Sequence, residues 1–285
     1  MATIRLGLPK GRMKEGVFEL LGDAGVSLRE TSRSYRPQIS MEDYDVKVLK
    51  PHNIVKMLHV GRRDLGFAGA DWVAELGADL VEVLDTGMDP VRLVAAAPTD
   101  FLVDGALPDR ELVVASEYER LTRLWIQQRG LRATFVLSHG ATEVFPPEDA
   151  DCIVDNTATG STLRQNNLDI VDEVMRSSTR LYASRAAMEE PSKRDRIEDL
   201  RMILASVLMA RKRVMLETNI TSDKLEALVA MLPCMREPTV ARLHGMAGYA
   251  VKVAVPRSEL PTLIPAIKQC GGTDIVVSQL AQIVP

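Results

Sequence analysis

Cys152-Ile153-Val154-Asp155-Asn156-Thr157-Ala158-Thr159-Gly160-Ser161-Thr162-Leu163 runs from an apolar strand through a carboxylate and a hydroxyl-rich turn around one glycine into a helical start. A strand that ends on an acidic residue and passes through glycine into a helix is the repeating unit of a parallel α/β sheet, whose sites lie at the carboxyl ends of its strands. Glycine lets backbone N–H groups turn toward a phosphate, Thr and Ser hydroxyls add donors, and a following helix adds its N-terminal N–H groups. Each hydrogen bond to a charged phosphate contributes roughly 1.5–3 kcal/mol, so three or four anchor a sugar phosphate firmly. Thr162-Leu163-Arg164-Gln165 has capping-box spacing, which predicts a short helix starting there. Asp155, at the strand end, then faces the adjoining sugar hydroxyls. A second reading fits the same stretch: a polar turn whose Ser and Thr merely cap a helix.

Working outward toward the N-terminus, the same alternation recurs. Thr3–Leu8 is an apolar run ending in Pro9-Lys10-Gly11-Arg12, after which Met13, Val17, Leu20, Leu21 and Ala24 share one helical stripe closed by Gly25. Val46–Leu49 reads as a strand, Ile54, Met57 and Leu58 as a helix stopped by Gly61, and Leu65–Ala68 as a strand before a helix around Trp72. Further strands are predicted at Val81–Leu84, Arg92–Ala97, Leu112–Ala115 and Thr134–Leu137. Toward the C-terminus, a charged stretch after Tyr182-Ala183-Ser184 leads into a long amphipathic helix through Ile197, Leu200, Leu204, Val207, Leu208 and Arg211. Beyond it come strand Val214–Glu217, helix Asp223–Leu232, strands Val240–His244 and Tyr249–Val255, helix Glu259–Cys270 and strand Asp274–Val277. That is βαββαβ, the ferredoxin-like order.

The 285 residues are 46% hydrophobic, enough for sizeable cores and two or three domains. A formal net charge of −4 argues against a general nucleic-acid or membrane-surface binder. Three widely spaced cysteines, Cys152, Cys234 and Cys270, read as buried thiols of a reducing compartment, and no spacing suggests a metal site. Without a basic segment leading into an apolar stretch at the N-terminus, and with no window of ~20 apolar residues, the expected location is the cytoplasm.

Three further groups could carry chemistry. Lys10-Gly11-Arg12 places a positive fork directly after a strand, suited to polyphosphate oxygens, although a solvated surface pair reads the same way. Asp64-Leu65-Gly66-Phe67-Ala68-Gly69-Ala70-Asp71 has the small residues of a ligand-facing turn, or of glycines that only ease turns. Glu143, in Gly140-Ala141-Thr142-Glu143, is either a second carboxylate near a sugar or Mg²⁺, or a glutamate at a helix start. Trp72 and Trp125 read as packing residues, and the scattered His52, His59, His139 and His244 receive no role.

In this order, Pro9-Lys10-Gly11-Arg12-Met13, Asp64-Leu65-Gly66 with Gly69 and Asp71, Leu121-Thr122-Arg123, Gly140-Ala141-Thr142-Glu143, Asp155 through Leu163, and Leu232-Pro233-Cys234-Met235-Arg236-Glu237-Pro238-Thr239-Val240 resemble the segments of ATP phosphoribosyltransferase, which opens histidine biosynthesis. The resemblance implies an α/β protein: a two-lobed periplasmic-binding-protein-like catalytic unit followed by a ferredoxin-like, ACT-like regulatory domain that binds histidine. Its expected bounds are 1–213 for the catalytic unit, with lobe I at about 1–94 and 181–213 and lobe II at about 95–180, and 214–285 for the C-terminal domain. The implied reaction joins adenine N1 of ATP to the anomeric carbon of 5-phosphoribosyl 1-diphosphate (PRPP), releasing pyrophosphate with Mg²⁺.

By the same resemblance, Asp155 and Glu143 are catalytic and meet ribose hydroxyls or Mg²⁺ waters. Asp155, Thr157, Ala158, Thr159, Gly160, Ser161 and Thr162 bind PRPP, and Lys10, Gly11, Arg12, Lys50, Asp71 and Arg92 meet ATP and pyrophosphate. Mg²⁺ is held mainly through substrate phosphates and water. Glu217, Thr239 and Gly272 are placed at the histidine site. The long form is a homo-hexamer built from dimers that needs no separate regulatory subunit and binds neither nucleic acid nor membrane. Two segments depart from the family pattern: Lys50-Pro51-His52-Asn53-Ile54-Val55 for the usual Arg-x-x-Asp-Ile-Pro, and Tyr118-Glu119-Arg120-Leu121-Thr122-Arg123 for the usual Tyr-Pro-Asn-Leu-Thr-Arg. Asn156 stands where an apolar residue is more usual. The rival readings are a non-catalytic small-molecule sensor, a phosphoribosyltransferase acting on a free base or amine, and a periplasmic solute receptor.

Overall fold

The computed structural model describes residues 3–29, 35–245 and 248–285. Strand β1 (Ile4–Pro9) leads into helix α1 (Met13–Asp23), whose stripe of Met13, Val17, Leu20 and Leu21 is buried. Gly25, at φ +80°, turns the chain out of the helix while the Val26 N–H bonds back to the Leu21 carbonyl at 2.8 Å. Two short strands, β2 (Leu28–Arg29) and β3 (Gln38–Ile39), pair antiparallel. Then follow β4 (Tyr44–Leu49), α2 (Pro51–His59), β5 (Leu65–Gly69), α3 (Ala70–Glu75) and β6 (Leu80–Pro98). The next part comprises β7 (Leu112–Ser116), α4 (Glu119–Arg129), β8 (Ala133–Leu137), β9 (Cys152–Thr157), α5 (Ser161–Gln165), β10 (Leu168–Ser184), α6 (Arg185–Glu189) and α7 (Pro191–Arg211).

These strands form one eight-stranded sheet in the order β4-β1-β5-β10-β6-β9-β7-β8. At each end three strands run parallel, and the antiparallel pair β6 and β10 joins them. Each parallel trio with its helices is one α/β half, and the pair carries the chain into the second half and back. That is the two-lobed architecture expected from the sequence.

Two differences from the sequence reading concern this pair. Val81–Leu84 and Arg92–Ala97 are parts of one 19-residue strand, not two. Gly87 (φ +66°) and Asp89 (φ +47°) absorb the irregularity that Gly87 and Pro90 imply, and pairing with β10 continues on both sides. The Thr179 hydroxyl donates to Asp89 and the Ser178 hydroxyl to Asp85, each at 2.7 Å, which stitches the bulged part to β10. Strand β10 itself was not expected, and neither was α4, where only Thr122 and Trp125 are buried.

The chain divides into two compact units, Met1–Gly22 with Val26–Asp199, and Asp23–Gly25 with Leu200–Pro285. In the second unit, β11 (Arg213–Thr221), α8 (Leu225–Met231), β12 (Thr239–Arg242), β13 (Gly248–Pro256), α9 (Leu260–Cys270) and β14 (Thr273–Gln279) form a four-stranded antiparallel sheet in the order β12-β13-β11-β14. This is the ferredoxin-like topology. Its core joins Val214, Leu216 and Ile220 of β11 to Leu228 of α8 and to Leu263 and Ile267 of α9, so these residues mark the helix faces that cover the sheet. All three cysteines are free thiols; Cys152 is buried as expected, whereas Cys234 and Cys270 are only half-buried.

Candidate active site

Asp155 lies near the carboxyl end of β9, and the stretch quoted first folds as read: strand, turn, short helix. Along β9 the side chains alternate. Cys152 and Val154 pack with Tyr118 and Trp125, whereas Ile153 packs with Leu163 and Ala150, so Asp155 projects on the side of α5. Gly160 takes φ +75°, and the turn is braced from within: the Thr157 hydroxyl accepts from the Gly160 N–H at 2.9 Å, and the Thr159 hydroxyl donates to Ser161 Oγ at 3.0 Å. The capping box is not formed. Gly160 occupies the cap position with no side-chain cap hydrogen bond, because its left-handed conformation starts the helix at Ser161 and leaves Thr162 inside the first turn.

A cavity of about 300 Å³ opens over this turn, lined by Arg12, Glu143, Asp155, Asn156, Thr157, Ala158, Thr159, Ser161, Thr162 and Leu163. Glu143 belongs to a three-residue 3-10 turn and faces the cavity. Burial pushes the Asp155 carboxyl up to about 6, the backbone N–H of Asn156, bonded to Asp155 Oδ1 at 2.7 Å, opposes that shift, and the charges of Glu143 and Glu117 add to it. Two carboxylates, one guanidinium and four hydroxyl-bearing residues therefore converge on one concave surface.

The remaining sequence candidates are distributed around it. Gly11, at φ +80°, turns the chain between Lys10 and Arg12, and Lys10 lines a neighbouring cavity of about 270 Å³ together with Lys50, Lys47, Arg36, Tyr35 and Asn53. The altered segment thus contributes Lys50 and the uncharged Asn53 to a strongly cationic wall. Arg92 pairs in register with Thr157, but its guanidinium stands 3.5 Å from the Glu173 carboxylate.

Asp71 lines neither cavity; its carboxylate is buried and accepts from Tyr118 Oη and Ser177 Oγ, each at 2.7 Å. The glycines before it serve packing, since a Cβ at Gly66 would meet Ile54 at 2.5 Å and one at Gly69 would meet Asp71 Oδ1 at 2.0 Å. Asp64, at the start of the same segment, is a buried partner of Arg5, whose guanidinium holds its carboxyl below the usual range. Among the described residues no cluster of three His, Cys, Asp or Glu side chains could hold a metal by itself. No helix among them is long and apolar enough to cross a membrane.

Three contributors were not singled out from the sequence: Glu117, Tyr118 and Ser177. Glu117 and Tyr118 follow β7 directly, and the carboxyl end of a parallel strand is the signal that could have found them. In the C-terminal unit, Glu217, Lys252 and Thr239 form one cross-strand row, with Glu217 and Lys252 ion-paired at 3.0 Å. Thr239 and Lys252 line a cavity of about 280 Å³. Gly272 lies elsewhere, against Ile267 and Thr218.

Comparison with known proteins bears on both units. The family described as ATP phosphoribosyltransferase matches residues 50–206, and the family described as HisG, C-terminal domain, matches residues 210–282. ATP phosphoribosyltransferases of Pelotomaculum thermopropionicum and Desulforudis audaxviator are each 36% identical over 287 aligned residues, covering 99% of this chain and 99% of theirs. A chain of the solved ATP phosphoribosyl transferase (HisG:HisZ) complex from Thermotoga maritima superposes with a TM-score of 0.65 at 26% identity, covering 73% of this chain and 99% of that one. Matches of that extent, over the catalytic unit and the C-terminal domain alike, make the chain a member of the ATP phosphoribosyltransferase family in its long form, the enzyme that joins ATP to PRPP in the first step of histidine biosynthesis.

Proposed function

We propose that PRPP occupies the cavity over the β9 turn, with its 5′-phosphate on Thr157, Ala158, Thr159, Gly160, Ser161 and Thr162 and its ribose hydroxyls toward Asp155. The observation that carries this reading is the convergence of Arg12, Glu143 and Asp155 on the hydroxyl-rich loop. Adenine N1 attacks the anomeric carbon, the bond from that carbon to the pyrophosphate oxygen breaks with its electron pair leaving on pyrophosphate, and the carbon inverts. N1 offers a lone pair in the ring plane, so no strong base is needed; the task is to stabilise a cationic ribose and an anionic leaving group together. Asp155, as a carboxylate, favours positive charge on the ring, and Arg12 answers the negative charge that develops on pyrophosphate.

Lys10, Gly11 and Lys50, with Arg92, are assigned to the ATP and pyrophosphate phosphates, and their shared cationic cavity supports this for Lys10 and Lys50. Asp71, assigned with them by the family resemblance, lines neither cavity and reaches the Asp155 side of the site only through Tyr118 and Asn156. Asp155 and Glu143 face one cavity without a full ligand cage, a donor set that fits a hydrated Mg²⁺ carried by the substrate phosphates. When bound, the ion neutralises leaving-group charge.

Histidine is assigned to the C-terminal domain as feedback inhibitor; of the candidate contacts Glu217, Thr239 and Gly272, the cavity beside Thr239 supports that residue, Glu217 lies in the same cross-strand row, and Gly272 stands apart from both. The protein works as a homo-hexamer in the cytoplasm without a separate regulatory subunit. The test is mass-spectrometric detection of phosphoribosyl-ATP from ATP, PRPP and Mg²⁺ with pyrophosphatase, with and without histidine. Product that falls on adding histidine supports both assignments; product indifferent to histidine removes the regulatory one, and no product from folded protein removes the catalytic one.

A further inference from the structure

We propose that Asn156 is a positioning residue, locked through Tyr118 onto Asp71 so that its backbone N–H fixes the carboxylate of Asp155. The proposal rests on the reading of Asp155 as the ribose-facing carboxylate. Four hydrogen bonds make the chain: Ser177 Oγ to Asp71 Oδ1 at 2.7 Å, Tyr118 Oη to Asp71 Oδ2 at 2.7 Å, Asn156 Nδ2 to Tyr118 Oη at 3.0 Å, and the Asn156 backbone N–H to Asp155 Oδ1 at 2.7 Å. Asp71, Tyr118 and Ser177 are all buried.

The direction of this chain is determined by chemistry. The Tyr118 hydroxyl donates to Asp71 Oδ2 and leaves the phenolic lone pair for a donor. That donor is the Asn156 amide, which fixes which way the amide faces. Asn156 and Asp155 are neighbours on a strand and project to opposite sides, so pinning the amide on the Tyr118 side holds the peptide whose N–H meets Asp155 on the cavity side.

Steady-state kinetics on the full-length enzyme test this with Asn156→Leu, Tyr118→Phe, the double variant, and Asp155→Asn. Each of the first two is expected to lower kcat about 10-fold while the KM for PRPP changes less than about 3-fold. The double variant is expected to fall no lower than the worse single, because both break one link. A folded Asn156→Leu enzyme with wild-type kcat overturns the proposal, and so does a multiplicative loss in the double variant. If Asn156→Leu fails to fold by thermal melt, Tyr118→Phe, which removes a single oxygen, decides by the same kcat criterion. Asp155→Asn at wild-type kcat instead overturns the reading of Asp155 itself, whereas an inactive Asp155→Asn beside a fully active Asn156→Leu removes the positioning role alone.

Discussion

Tyr118 Oη donates to Asp71 Oδ2 at 2.7 Å while the Trp72 ring lies 4.9 Å from the Tyr118 ring, so helix α3 and the segment after β7 are joined by a polar and an aromatic contact side by side. The space for this junction depends on Gly69. Gly69→Ala puts a methyl 2.0 Å from the position of Asp71 Oδ1 and is expected to cost about 2 kcal/mol or more by displacing a buried carboxylate from its donors. Gly22→Ala, in the last turn of α1 with nothing within 4 Å of the new carbon, is expected to stabilise by about 0.5–1 kcal/mol. Urea midpoints of the two variants should move in opposite directions; a shared direction contradicts the argument.

Asp155 and Arg12 share a cavity but are assigned different tasks. Asp155→Ala is expected to lower kcat by about 100-fold with a smaller change in the KM for PRPP, as for a group acting on charge that develops during reaction. Arg12→Ala removes charge-assisted hydrogen bonds and is expected to raise substrate KM about 10-fold or more as well as lowering kcat. Initial-rate measurements with each substrate varied would separate the two patterns, and negligible effects in both variants sink both assignments.

The Asp155 carboxyl titrates at about 6 in the folded protein, above the ordinary carboxylate value near 4. The folded state therefore holds this proton more tightly than the unfolded chain, so the stability linked to it is present below about pH 4 and is lost as pH rises to 6. Asp155→Asn removes that loss. Relative to wild type, the variant should gain stability between pH 4.5 and 7.5 in urea titrations; an equal difference at both pH values contradicts the shift.

Thr122 Oγ1 is the one buried side-chain polar atom without a hydrogen-bond partner among the described residues. Replacing the hydroxyl by a methyl of similar size removes an uncompensated polar atom, so Thr122→Val is expected to raise stability by about 1 kcal/mol. A differential scanning calorimetry trace with a lowered Tm would show that the hydroxyl has a use there.

Elements with local signals were legible in the sequence. The turn after β9 is announced by Asp155, Gly160 and its hydroxyls, and the helices of the C-terminal domain by stripes such as Leu263 and Ile267 closed by Gly271 at φ +102°. Strand β10 was not legible because it carries Asp172, Glu173, Arg176 and Arg180, whose charges are met by Arg129 on Asp172, Arg92 and Arg176 on Glu173, and Glu82 on Arg180. Burial by sheet neighbours, not an apolar period, makes it a strand. The chain from Ser177 through Asp71 and Tyr118 to Asn156 was equally hidden. Its links span 106, 47 and 38 residues, and no local pattern reports which hydroxyl will meet which carboxylate.

The place of β10 between β5 and β6 also governs how the protein is made. Strand β5 has β1 on one side, and its other edge waits for Thr179–Ala183. A ribosome adding about 5–20 residues per second needs roughly 6–23 seconds to travel from the end of β5 to the end of β10. During that time a fully apolar strand, Leu65–Gly69, stands with an open row of N–H and C=O groups, available to any nascent neighbour on the same message. Soluble yield is therefore expected to depend on translation speed between residues 69 and 184, which expression from messages with slowed and unslowed codons over that stretch would check.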